Sequence, residues 1–214
     1  MPDTQPDAIA AALSQTASPL LFAAAGEALA QDLLDHGRVS PSHVRLLDSM
    51  DRVADEVRWA MVEQTHAPLR ASVAAAAVVL GQARPSQSRR VRGWVAQIMA
   101  TSSPVQWTPD HSTIALRAML CLIGGDVAGA ERAVRLLRQR GDAIGPVLVE
   151  WTAGQRARGT DPRRAWEGLR AWARRVEQPV PALLLVAAVF ALPNAPVMSH
   201  VPSSTRRIEA PSMG

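Results

Sequence analysis

The stretch 113-TIALRAMLCLIGGDVAGAERAVRLLRQR-140 decides the fold class. It reads as two short helices closed on each other by Gly124-Gly125-Asp126. Ile114, Leu116, Leu120 and Leu122 supply apolar volume to the first, while Ala115, Ala118 and Cys121 allow close approach. Asp126 is placed to cap the second, whose packing stripe is Val127, Ala130, Ala133, Val134 and Leu137. Arg132, Arg135, Arg138 and Arg140 fall outside that stripe. Two helices joined by so short a turn lie antiparallel.

Outward from this pair, the composition argues for helices throughout. Apolar residues make up 48% of the 214, mostly Ala, Leu and Val, with no Tyr and 2 Phe. Alanine favours helix, and β-branched or aromatic runs bounded by turns are nearly absent. The expected class is all-α, a helical bundle or short α-solenoid of antiparallel hairpins. One domain over 18–192 is expected, with 1–17 a partly ordered segment and a possible subdomain boundary near 101–109. The prolines and serines of 193–214 read as a disordered tail.

Towards the N-terminus, Ser18-Pro19 and Ser40-Pro41 each pair a capping residue with a first-position proline. The first opens a helix to about Asp35, stopped by Gly37. The second opens a longer helix to about Gln64, with Leu46, Leu47, Met50, Val53, Val57 and Met61 as its buried stripe and an Asp48–Arg52 pair on its surface. Pro68 to Leu80, ended by Gly81, reads as an alanine-rich central helix. Val91, Trp94, Val95, Ile98 and Met99 form the next stripe, beside Arg89, Arg90 and Arg92. Val180 to Leu192 is apolar on nearly every side and reads as a sealing core helix.

A shift of 35 residues returns the pattern of the opening stretch: Ala118 falls on Ala153, Gly124 on Gly159, Asp126 on Asp161, Ala130 on Ala165 and Arg135 on Arg170. The echo pairs a helix from about Pro146 to Arg158 with another from Pro162 to Glu177. It is either a structural repeat or two hairpins that are alike by composition. The unit 111–144 resembles a tetratricopeptide motif, a helix–turn–helix repeat of about 34 residues. Ala118 matches the small residue at the helix contact, and Gly125, Asp126 and Ala130 match the turn and the alanine after it. Ile114, Arg117, Cys121, Leu137 and Asp142 depart from the family's usual aromatic, leucine, tyrosine, alanine and proline. The resemblance implies a scaffold that binds a peptide or protein without catalysis.

All 23 basic residues are Arg. Residues 1–67 hold 10 acids and 4 Arg, a net −6, whereas 68–214 hold 9 acids and 19 Arg, a net +10. Such halves attract each other within the fold, or the basic half faces an anionic partner. The densest basic patch combines Arg156 and Arg158 with Arg163, Arg164, Arg170, Arg174 and Arg175, and interleaves Trp166 and Trp172. Guanidinium forks suit carboxylates and phosphates, and Trp can anchor an interface. The plain alternative is a solvated face over core tryptophans.

Enzymatic and metal chemistry find little support. His36, His43, His66, His111 and His200 show no metal-ligand spacing, and the single Cys121 falls in an apolar helix where an inert thiol is expected. Gly124-Gly125 lacks the context of a phosphate loop. No cofactor is expected. No apolar run reaches the length of a membrane span, and the cytoplasm is the expected compartment. A protein-interaction or scaffold role is favoured, with a protein partner or homo-oligomer. A nucleic-acid-associated regulator and a purely structural oligomer subunit are the alternatives.

Overall fold

The computed structural model describes residues 6–64, 69–100 and 110–192. Residues 1–5, 65–68, 101–109 and 193–214 lie outside them, and with them the expected helix start at Pro68, the expected boundary near 101–109 and the expected disordered tail. Among the described residues there are ten α-helices and no strand, so the fold is all-α. They are α1 Pro6–Gln15, α2 Pro19–His36, α3 Val44–Glu63, α4 Arg70–Ala83, α5 Ser88–Ala100, α6 His111–Gly124, α7 Val127–Gln139, α8 Gly145–Ala157, α9 Pro162–Ala173 and α10 Ala182–Phe190.

Local chemistry explains several helix ends. Gly37 and Gly125 adopt the left-handed conformation (φ 70° and 82°), and their N–H groups bond back to Leu33 and Leu122. Asp110, Asp126 and Asp161 each accept a backbone N–H of the turn that follows, from Thr113, Gly129 and Arg163. Ser18 occupies the cap position of α2, but its side chain makes no capping bond. Ser40-Pro41 opens a short 3-10 turn, Pro41–His43, and α3 begins only at Val44. The serine hydroxyl is turned towards Ser42 and His43 instead.

The centre of the molecule is α4 with α10. Both are buried on almost every side, from Val73 to Gly81 and from Ala182 to Phe190. A helix apolar all round has no solvent face and must be enclosed. α10 lies against α2, α4 and α6, while α4 also packs on α5 and α6. Outside this centre, α1 rests on α2 and α3, α7 pairs closely with α6, α8 leans on α6 and α7, and α9 rests on α10. One continuous apolar core joins them.

Glycine permits the tightest crossing. A Cβ on Gly26 of α2 would stand 2.3 Å from the Cβ of Ala76 and 2.8 Å from its Cα. Gly81 does not end α4, as its position suggested. The helix continues to Ala83, and a Cβ at Gly81 would press on Val91 of α5 at 3.1 Å. Helix packing, which the local sequence does not reveal, accounts for that glycine.

Other expectations are corrected by the same packing. Val127 belongs to no buried stripe; it is 52% exposed, while Ala130, Ala133, Val134 and Leu137 are buried. Asp48 pairs with Arg84. Arg70 is buried, donating Nη1 to the Ile98 carbonyl at 3.2 Å and Nη2 to the Gln64 carbonyl, so its fork ties α4 to α5 and to the end of α3. Burial pushes its guanidinium below the ordinary range.

Candidate functional site

The acidic N-terminal half meets part of the basic half inside the fold. Arg84 pairs with Asp48, and Arg90 approaches Asp55 at 3.6 Å, so the acidic face of α3 is matched by the junction of α4 and α5. The arginines of α9 stand apart from this exchange. Arg163, Arg164, Arg174 and Arg175 are exposed, and among the described residues no carboxylate pairs with them. Arg170 is half-buried and donates Nη2 to the Asp35 carbonyl at 3.2 Å, a contact with the end of α2 rather than with an acid.

Helical geometry sorts these side chains. Pro162, Ala165 and Leu169 face inward, and Trp166 and Trp172 are half-buried against the core. Arg163, Arg170 and Arg174 then line one edge of the outer face, and Arg164 and Arg175 the other. Arg158 and Arg175 each turn Nε back to a carbonyl one turn earlier, Gly154 at 3.0 Å and Ala171 at 3.1 Å. Arg156 does not join the outer face. It is half-buried and donates to the Ala191 carbonyl at 2.5 Å. The nine-residue basic patch is therefore divided between an outer helix face and an inward-turned arginine.

The inward arginine lines a cavity of about 700 Å³ between α4, α5, α6 and the end of α10. Val78, Val91, Val95, Leu120 and Phe190 contribute apolar walls, and Arg92, Arg117 and Arg156 the positive charge. Cys121 also lines it. The thiol is half-buried rather than sealed in the core, and burial together with the nearby Asp126 carboxylate raises it above the ordinary thiol range. The sequence carried one sign of this concavity, Arg117, a lone charge inside the apolar run Ile114–Ile123. The converging residues come from five helices, α4, α5, α6, α8 and α10, and no linear spacing joins them.

No family model matches the chain, and neither a curated protein nor a solved structure shows a significant resemblance to it. The site is therefore read from its own chemistry. Among the described residues, no group of three His, Cys, Asp or Glu side chains is placed to hold a metal ion. His36 and His43 do converge, on the buried Asp32, whose Oδ1 lies 2.9 and 3.4 Å from their Nδ1 atoms. Its Oδ2 accepts the Ser40 N–H at 2.7 Å, so the carboxylate organises the turn between α2 and α3. No described helix is long and apolar enough to cross a membrane. Of the described tryptophans, Trp94 is buried beside Phe22, with ring centres 6.0 Å apart. Trp59 is exposed, with the Arg58 guanidinium 4.5 Å over its ring.

Proposed function

We propose that this chain is a non-enzymatic helical interaction protein that docks an acidic protein surface on the outer face of α9. One observation carries the reading: four exposed arginines, two in the first turn of α9 and two just past its end, have no carboxylate partner among the described residues. Two of them, Arg163 and Arg164, occupy the first turn of α9, where the helix dipole is already positive. Cations there oppose helix stability, and a partner's carboxylates would relieve both the dipole and the arginines. The half-buried Trp166 and Trp172 stiffen the helix from beneath and hold the face in place. The α6–α9 region, with its tetratricopeptide-like pattern, is the scaffold in this proposal.

The test is a titration of a fluorescein-labelled helical peptide rich in Glu and Leu, at two salt concentrations. Binding should weaken with salt and fall by at least about tenfold when Arg163, Arg164, Arg174 and Arg175 are all changed to Gln. Equal or tighter binding of a DNA duplex of similar charge would replace this proposal with a nucleic-acid role. A concentration-dependent mass that the same substitutions abolish would make a second copy of the chain the partner.

A further inference from the structure

We draw no further inference here: the strongest candidate, the cavity of about 700 Å³ between α4, α5, α6 and the end of α10, carries nothing, because Arg92 and Arg156 in its lining already donate to the Ser88 and Ala191 carbonyls and nothing in the structure shows what covers its apolar walls.

Discussion

Glu27 of α2 accepts the backbone N–H of Leu183 at 2.9 Å, and its second carboxylate oxygen accepts that of Ala182 at 2.6 Å. A side chain 155 residues away in sequence thus caps the N-terminus of the most buried helix. Pro181, at the cap position itself, has no side-chain donor or acceptor to do so. Removing both bonds with Glu27→Ala should cost about 1–2 kcal/mol, read by urea unfolding. Glu27→Gln keeps one acceptor and turns an amide NH₂ towards the other N–H, so it should fall between.

The same carboxyl makes a pH prediction. Burial raises Glu27 above its ordinary 4.5, and the bonds from Leu183 and Ala182 offset only part of that. The folded state therefore holds its proton more tightly than the unfolded chain does. This contribution is fully present below the unfolded value and is lost as pH rises through the folded one. Relative to Glu27→Gln, which does not titrate, the parent should gain stability on acidification through the region just above 4.5. Paired thermal melts of the two proteins across that region check the sign.

One residue earlier, Gly26 sets the distance between α2 and α4. A methyl group there would overlap the Ala76 side chain and backbone, neither of which can swing aside. Gly26→Ala should destabilise by about 1–3 kcal/mol despite the better helix propensity of alanine. Gly93→Ala, at an exposed site in α5 with nothing near its Cβ, should be neutral or stabilising by up to about 1 kcal/mol. The contrast in urea midpoints separates packing from propensity.

Arg70 should behave as an internal tie. Arg70→Met fills similar volume but leaves the Ile98 and Gln64 carbonyls without that donor. A loss of about 2–3 kcal/mol is expected, with native amide exchange accelerating at the C-terminal ends of α3 and α5.

At the turn between α6 and α7, Asp126→Ala removes a cap and Gly125→Ala forces a side chain into φ 82°. Each should cost about 1 kcal/mol. Asp161→Ala should cost about as much at α9, where the Asp161 side chain accepts the Arg163 N–H at 2.7 Å. All three are measurable by chemical denaturation.

Sequence alone determined the helices and several of their ends. Asp126 and Asp161 cap, Gly37 and Gly125 stop, and the unbroken apolar run at 182–190 is enclosed. These are contacts within a few residues, governed by backbone donors and left-handed glycines, so the linear order carries them. Tertiary structure alone decided how the charges are shared. Twenty-three arginines look equivalent in a row of letters. Packing buries Arg70, spends Arg84 and Arg90 on α3, turns Arg156 towards a cavity and leaves four on the outside of α9. Alanine-rich helices offer small side chains on many sides, so their rotation and neighbours are set by close fits such as Gly26 on Ala76, and the positions of the charges follow from them.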